Sequence, residues 1–122
     1  MNIIPVMKCK DMKESLSFYV NILDFKLVGT WPESGSPSFS VLNRGGAELN
    51  LSTHSGDRVF GNVVVIIVDD IERLFKIYHD RGLPATDKKD SPVHQGHIVQ
   101  SWGTTEFYVD DPNGHTLRFI QK

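Results

Sequence analysis

The chain has 122 residues, a formal net charge of −2 at neutral pH and an isoelectric point near 6.2. This length suits one compact domain or two small fused modules. The slightly acidic balance argues against a nucleic-acid-binding protein, because phosphate binding needs an excess of positive charge.

Four strands and one helix are predicted in the first half of the chain. The strands lie at residues 2–8, 25–31, 39–42 and 47–52. Pro5 is tolerated in the first strand if that strand lies at a sheet edge. Asp11 caps the helix, with Glu14 at the capping-box position, and apolar residues recur at helical spacing as far as Leu23. The last two strands form a hairpin.

The second half repeats this order. Its strands are predicted at residues 63–68, 83–86, 98–101, 105–109 and 116–121, where 98–101 and 105–109 are two strands or one bent strand. The β-branched run 63–68 is typical of a strand that is buried on both faces. Asp69 or Asp70 caps a second helix, which ends at Gly82. Residues 87–96 form a polar loop long enough to gate a site.

The two halves therefore repeat one pattern, most visibly in residues 11–19 and 70–78. We predict an α+β fold of two tandem βαβββ modules, with repeats at about 1–55 and 60–122, in a single domain spanning 1–122. A doubled unit of this kind leaves a groove between its halves, and small ligands bind in such clefts.

A single cysteine and short apolar runs indicate the compartment. Cys9 cannot form an internal disulfide, which fits a reducing environment, and we expect an ordinary thiol at a strand end. The longest apolar run, 63–68, is far too short to span a bilayer, and residues 1–7 do not resemble a signal peptide. We therefore predict a cytoplasmic protein without membrane contact.

Three motifs carry a family resemblance. They are residues 4–11 followed by Phe18-Tyr19 and Leu23-Asp24-Phe25, residues 68–71, and residues 102–107 continuing through Asp111-Pro112-Asn113-Gly114 to Arg118. In order and spacing these motifs resemble the glyoxalase/bleomycin-resistance superfamily, also called vicinal oxygen chelate proteins. One departure is Asp24, which stands where the family usually has Gly. The resemblance covers nearly the whole chain and implies an open barrel with a ligand groove.

Enzymes of this superfamily hold a divalent metal with four groove-facing ligands, usually His and Glu. The matching positions here are Ile4, Asn50, Val63 and Arg118. None is an ordinary ligand for zinc, nickel or iron, and the arginine would repel a cation. We predict a metal-free site and no cofactor.

The histidines offer no replacement for these ligands. We expect all five to be solvated surface residues: His54, His79, His94, His97 and His115.

Strand alternation separates side chains that line the groove from side chains that face the core. The residues expected to face the core are Leu49, Leu51, Phe107, Val109, Leu117 and Phe119. The candidate ligand-binding residues are Trp102, Phe39, Glu48, Asn50, Glu106, Tyr108 and Arg118. An apolar floor is expected from Ile4, Val6, Val63, Val65 and Ile67. The alternative is that Glu48, Glu106 and Arg118 form an internal ion pair with a structural role only.

Trp102 matches the position where bleomycin-binding members of the family carry a tryptophan that stacks on a flat part of the drug. Stacking and cation–π contacts of this kind contribute about 0.5–2 kcal/mol. The alternative is a core tryptophan at the rim of the barrel. Trp31, with Phe39, could form the opposite wall of the groove, or it could be a dimer contact.

The resemblance implies a binding protein of the antibiotic-resistance type, which sequesters a planar, cationic, drug-like molecule without transforming it. If Arg118 is unpaired in the groove, an anionic ligand fits the site better than a cationic one. The rival hypotheses are a metal-dependent lyase, isomerase or dioxygenase with unexpected ligands, and a regulatory module without a small ligand. The resemblance also implies a homodimer that exchanges N-terminal strands, with Pro5 as the hinge and the grooves at the interface.

Overall fold

The computed structural model describes residues 1–57, 59–84, 88 and 90–122. In this part of the chain the strands are β1 Val6–Lys8, β2 Lys26–Trp31, β3 Phe39–Arg44, β4 Ala47–Ser52, β5 Val63–Ile67, β6 Ile98–Val99, β7 Thr105–Asp110 and β8 Thr116–Gln121. The helices are α1 Met12–Leu16, which continues as a wider π-helical turn over Ser17–Ile22, and α2 Ile71–Asp80. A single 3-10 turn, Pro92–His94, lies between α2 and β6.

The strands form two four-stranded sheets with equivalent strand orders. The first sheet has the order β1-β4-β3-β2 and the second has the order β5-β8-β7-β6. In each sheet the first strand pairs in parallel with the last strand of its module, and the other pairs are antiparallel. The predicted α+β fold of two βαβββ modules is confirmed.

Both helices begin at the predicted aspartates. The side chain of Asp11 accepts a hydrogen bond from the Glu14 backbone N–H, and Asp70 accepts one from Arg73, each at 3.2 Å. The second helix ends at Asp80, and Gly82 follows as the predicted C′ residue, with a φ of +96° that is strained for any residue with a side chain. Among the described residues, no helix has the length and apolar character needed to cross a membrane.

Alternate residues of the strands face a shared core beneath the helices. As predicted, Leu49, Leu117, Phe107 and Phe119 are all at most 3% exposed. The rings of Phe107 and Phe119 stack with centroids 4.9 Å apart. Residues from both modules belong to this one core, so the sheets are held together by apolar packing as well as by polar contacts.

The turn after β7 also connects the two modules. Asp111 is 7% exposed, and its carboxylate accepts hydrogen bonds from the Tyr19 hydroxyl at 2.8 Å and from the backbone N–H groups of Asn113 and His115 at 2.8 and 2.9 Å. The Asn113 side chain donates to Ser15 Oγ and accepts from the Lys10 N–H, each at 3.0 Å. We call Asp111, Asn113 and His115, with these partners, the turn clamp.

His115 corrects one expectation, because it is fully buried rather than solvated. Its Nδ1 accepts from the Asn62 N–H at 2.9 Å, and its Nε2 lies 2.7 Å from the Lys8 carbonyl oxygen, to which it donates. The ring joins β1 to the chain just before β5 and stacks on Phe60. A buried imidazole with both nitrogens bonded is a structural group.

The predicted burial of residues 63–68 on both faces is wrong. Val63, Val65 and Ile67 are between 52% and 55% exposed, while their neighbours Val64 and Ile66 pack against the core. The reason is that no helix or strand among the described residues covers the outer face of β5, which is also an edge strand of its sheet.

Other predicted strands differ in extent. Residues 2–5 precede β1, although the Pro5 carbonyl still accepts from Asn50. Of the strand predicted at 83–86, Leu83 and Pro84 are not in a strand, because the Leu83 N–H bonds the Tyr78 carbonyl at the end of α2. Residues 85 and 86 lie outside the described part of the chain, as does the start of the loop predicted at 87–96.

The backbone explains why Gly is usual where this chain has Asp24. Asp24 has a φ of +60°, the left-handed region that glycine enters without strain. Its carboxylate lies 2.8 Å from Arg81 and 3.5 Å from Arg44. Arg81 also donates to the carbonyls of Val20 and Asn21. The ion pairs of Asp24 with Arg81 and Arg44 thus offset the backbone strain that a glycine at this position would not have.

Candidate functional site

The second sheet presents one face away from the core, and its rows of paired residues run from apolar to polar. One row is Val65, Arg118 and Tyr108, and the next is Ile67, Ile120 and Glu106. Residues paired across neighbouring strands lie on the same face of a sheet. This face therefore has aliphatic side chains on β5 and hydrogen-bonding side chains on β7.

Glu106 lies at the centre of a hydrogen-bonded cluster. Its Oε2 accepts from Thr104 Oγ1 at 2.6 Å and from the Trp102 indole N–H at 3.3 Å, and its Oε1 accepts from the Tyr108 hydroxyl at 2.9 Å. Burial alone would raise the pKa of Glu106, but these three hydrogen bonds and the charge of Arg118 lower it below its ordinary value. The carboxylate is therefore ionised and has its oxygens occupied at neutral pH.

This arrangement changes the role predicted for Glu106. A carboxylate that is 3% exposed and already accepts three hydrogen bonds is poorly placed to contact a ligand. Its effect is to fix the position of the Trp102 and Tyr108 rings. Thr104, the third donor, was missed by sequence reasoning. The signal was its position two residues before Glu106, directly before the start of β7, because alternate residues of an extended chain share a face.

Trp102 is 68% exposed, so its indole is not part of the core. Beside it, the Arg118 guanidinium lies over the Tyr108 ring with its central carbon 4.8 Å from the ring centroid. No carboxylate lies within ion-pair distance of Arg118, whether from Glu48, Glu106 or another described residue, and its Nε is buried without a hydrogen-bond partner. The structure therefore does not contain the internal ion pair considered as the alternative. We call Trp102, Tyr108 and Arg118 the aromatic platform.

Glu48, Asn50 and Phe39 lie on the first sheet. Asn50 pairs with Val6 and Val41 and is 9% exposed, and its side-chain oxygen is buried without a hydrogen-bond partner. No hydrogen bond, ion pair or ring contact among the described residues joins these three side chains to the aromatic platform. The structure thus brings together four of the seven predicted site residues on the second sheet, and it places the other three on the first sheet.

The expected apolar floor is present as an exposed strip. Ile4, Val6, Val63, Val65 and Ile67 are between 37% and 55% exposed. A cavity of about 570 Å³ lies between the N-terminal segment and β5 and includes Glu48 in its lining, but it does not reach the aromatic platform. A continuous apolar strip of this kind on one chain is typical of an interaction surface.

Trp31 lies at the far edge of the first sheet, on β2, paired with Phe39. It is 55% exposed, and its ring folds back over Gly29 so closely that a Cβ on Gly29 would lie 2.6 Å from the indole. Glycine at position 29 is therefore required by the tryptophan that covers it.

The four positions that match metal ligands in the superfamily do not fit a metal. Two are aliphatic, Arg118 is a cation, and Asn50 offers only a neutral amide oxygen. Elsewhere in the described part of the chain, no group of three or more His, Cys, Asp or Glu side chains is placed to hold a metal ion.

The 3-10 turn Pro92–His94 packs against β7 beside the aromatic platform. His94 Nε2 lies 2.9 Å from Asp110 Oδ1, its Nδ1 lies 2.6 Å from Ser91 Oγ, and its ring contacts Tyr108 edge-on at 5.7 Å. Burial would raise the pKa of Asp110, but hydrogen bonds from Lys88, His94 and Thr116 lower it. This network, which sequence reasoning missed, places part of the predicted loop next to the candidate site.

Cys9 is 2% exposed, and burial raises the pKa of its thiol. A thiol that is buried and protonated is a poor nucleophile, as expected for an ordinary residue at the end of β1.

Comparisons with known proteins agree with this architecture. The family model described as Glyoxalase/Bleomycin resistance protein/Dioxygenase superfamily matches residues 5–119. No protein of curated function matches the chain.

Several solved structures are similar over the whole chain. A bleomycin-binding protein complexed with bleomycin is 21% identical, with a TM-score of 0.76 over 100% of this chain and 98% of that one. A bleomycin resistance determinant encoded on the transposon Tn5 is also 21% identical, with a TM-score of 0.77 and the same coverage of 100% and 98%. The bleomycin-binding protein of Streptomyces verticillus, complexed with copper(II)-bleomycin, is 23% identical, with a TM-score of 0.71 over 100% and 96% of the two chains.

Proposed function

The chain belongs to the glyoxalase/bleomycin resistance protein/dioxygenase superfamily, and we propose that it is a metal-free binding protein that sequesters a planar small molecule without transforming it. The observation that carries the proposal is the aromatic platform. The exposed Trp102 indole and the Tyr108 hydroxyl both donate to the buried Glu106 carboxylate. The Arg118 guanidinium lies over the Tyr108 ring. Flat ligands stack on such surfaces, and fixing the rings beforehand reduces the entropy cost of binding.

The proposed ligand carries an anionic or hydrogen-bond-accepting group. Among the residues that the structure describes, none places a carboxylate within ion-pair distance of Arg118, and none forms a hydrogen bond with its buried Nε. A buried donor left without a partner is costly, and a ligand acceptor would satisfy it. The unpaired Arg118 therefore favours a ligand with an anionic group over the cationic ligand that the family resemblance implied. The sequence analysis named this preference for the case in which Arg118 is unpaired.

The proposed metal-free character is supported by the donor set at the four matching positions. A chain with Ile4, Asn50, Val63 and Arg118 there lacks the imidazole and carboxylate ligands that the enzymes of the superfamily use. Similarity in fold alone does not transfer an activity, because one fold supports many chemistries.

We test this function by isothermal titration of untagged protein with three planar compounds: a bleomycin-type drug, a naphthalene carboxylate and a cationic acridine. Binding of the carboxylate or the drug, with the compound recovered unchanged by mass spectrometry, is the expected result. A parallel titration with zinc, nickel and manganese should give no heat. Near one metal bound per chain, or chemical conversion of a compound, would instead favour a metal-dependent enzyme.

We further propose that the site is completed by a second copy of the chain. The platform and the Glu48, Asn50 and Phe39 group are separate within one chain, and the apolar strip between them is exposed. The N-terminal segment preceding β1 is apolar, and Ile3 is 91% exposed. Covering the strip and the segment with a partner would bury this surface, and exchange of an N-terminal segment is a low-cost route to a twofold dimer.

Analytical ultracentrifugation tests the assembly. The test variant is a truncated chain that lacks residues 1–4 but keeps Met7, which belongs to the core. The truncation should convert the dimer into monomers that retain the circular dichroism spectrum of the full chain. A control variant, Ile3→Val, should remain dimeric. A truncated protein that is still a stable dimer would exclude segment exchange. A full-length chain that is monomeric at all concentrations would exclude the shared site.

We also propose that the protein is cytoplasmic. The support is its one cysteine, Cys9, which is a buried free thiol.

A further inference from the structure

A second, smaller cavity lies on the helix side of the sheets, between the two modules. It has a volume of about 200 Å³, and its walls include Phe25, Ile66, Leu74 and Phe119, with Arg44, Asp69 and Tyr78 as polar side chains. None of the candidate ligand-binding residues of the groove lines it. A shallower crevice of about 380 Å³ shares Arg44, Val68, Asp69 and Leu74 with it and includes Arg73 and Ile77.

Two hydrogen-bond donors in this cavity have no partner among the described residues. Tyr78 is fully buried, and its hydroxyl makes no hydrogen bond in the part of the chain that the structure describes. The Nε of Arg44 is likewise buried without a partner. Buried polar groups are nearly always hydrogen-bonded, so two orphaned donors that line the same cavity require an explanation.

The side chains that carry these donors lie close together. The Arg44 guanidinium carbon is 5.7 Å from the centroid of the Tyr78 ring. Arg44 has one carboxylate partner among the described residues, Asp24 at 3.5 Å, and Asp24 is held more closely by Arg81 at 2.8 Å. Burial raises the pKa of Tyr78, so its hydroxyl keeps its proton and acts as a donor. The guanidinium is therefore only weakly compensated, beside a neutral phenol.

From this arrangement we propose that the cavity binds a small apolar carboxylate, such as a short-chain fatty acid. The carboxylate accepts hydrogen bonds from Tyr78 and Arg44, and the alkyl chain lies against the walls formed by Phe25, Ile66 and Leu74. Apolar walls with a few convergent polar groups are how small-molecule sites are built. A cavity of 200 Å³ suits several non-hydrogen atoms, which excludes a large planar drug. Asp69 lies at the rim, and its charge favours the monocarboxylate over a dicarboxylate.

Tyr78→Phe tests this site because it should change stability and butyrate affinity in opposite directions. Removing a buried hydroxyl that has no partner should raise the melting temperature of the ligand-free protein by a few degrees. The same change should weaken butyrate binding by about tenfold or more, because a charge-assisted hydrogen bond is lost. The matched control is Tyr19→Phe, a second fully buried tyrosine whose hydroxyl is bonded to Asp111. This control should lower the melting temperature and leave butyrate affinity unchanged.

The measurements are thermal unfolding and titration of ¹⁵N-labelled protein with butyrate, followed by amide chemical shifts. Shifts should cluster at Gly45, Val68 and Leu74, and the neutral amide butyramide should bind much more weakly. Shifts confined to β7 and β8 would place butyrate in the groove and overturn the proposal. Equal binding of butyramide would also overturn it. A lower melting temperature for Tyr78→Phe would mean that the hydroxyl is satisfied by ordered water, with the cavity a solvent site only.

Discussion

The turn clamp leads to a quantitative prediction about folding. Asp111→Ala removes an acceptor that serves three donors: the Tyr19 hydroxyl and the backbone N–H groups of Asn113 and His115. Tyr19 and His115 are fully buried, so their donors cannot recover a bond to water, whereas half-buried Asn113 can. Each buried donor left without an acceptor costs about 1–3 kcal/mol, and the variant gains some stability because it no longer buries a carboxylate. We expect the free energy of unfolding to fall by about 3–5 kcal/mol.

The assay is urea unfolding followed by circular dichroism at one fixed protein concentration, since dimerisation would make stability depend on concentration. Asp111→Asn is the matched control, because its amide oxygen still accepts from the two backbone donors, and it should lose only about 1–2 kcal/mol. A third variant, Tyr19→Phe with Asp111→Ala, should recover about 1–3 kcal/mol because the orphaned hydroxyl is gone.

The reasoning is refuted if Asp111→Ala costs less than about 1 kcal/mol, or if the Tyr19→Phe change gives no recovery in its background. One cooperative transition is expected in every variant, because we propose that the two modules fold as a single domain around their shared core. Two separate transitions would contradict that proposal.

Two further predictions concern charged residues. Glu106 has a pKa below its ordinary value of 4.5, so it stabilises the folded state above that pH, and this contribution is lost as the pH falls through the folded pKa. Glu106→Gln should therefore be less stable than wild type at pH 7, and this difference in stability should become smaller when the pH is lowered to about 3. An equal difference in urea unfolding at both pH values would contradict this. Asp24→Ala should be less stable than Asp24→Gly by about 1 kcal/mol, because both lose the ion pairs but only alanine keeps the left-handed strain; thermal unfolding that ranks the two variants equally would contradict it.

Much of the fold follows from local sequence signals. Asp11 was predicted as the first helix cap, and Asp69 or Asp70 as the second, because a short acceptor three residues before a donor N–H is a local feature; the structure shows that Asp70 is the second cap. Strand alternation correctly separated Leu49 and Phe119, which face the core, from residues on the opposite face. The order of the motifs then gave the two-module architecture.

The errors concern features that depend on distant parts of the chain. A β-branched run such as residues 63–68 has the same composition whether one or both faces are covered, and its exposure follows because no described helix or strand covers the outer face of β5. His115 follows a polar turn and was expected at the surface, but it is buried by contacts with Lys8 and Asn62. No local pattern indicates such partners.

Part of the candidate site comes together in the structure, and its role in ligand binding stays a proposal. Tyr108 and Arg118 lie side by side because β7 pairs with β8, and Trp102 is joined to this group through its hydrogen bond to Glu106. The hydrogen bonds that tie Glu106 to Trp102 and Thr104 depend on side-chain rotamers, which the sequence does not specify. The sequence also does not show whether Arg118 has an ion-pair partner, because this depends on the positions of side chains from other strands. The absence of such a partner among the described residues bears directly on the charge of the proposed ligand.

The affinity of Trp102→Ala for the planar ligand tests the central claim most directly, measured with its melting temperature on one preparation. Because the indole is 68% exposed and its hydrogen bond is 3.3 Å long, the folded protein should lose about 1 kcal/mol or less. Ligand affinity should fall by one to two decades, about 1–3 kcal/mol, and Trp102→Phe should restore most of it. A large loss of stability with unchanged affinity in the folded fraction would remove Trp102 from the site and contradict the account.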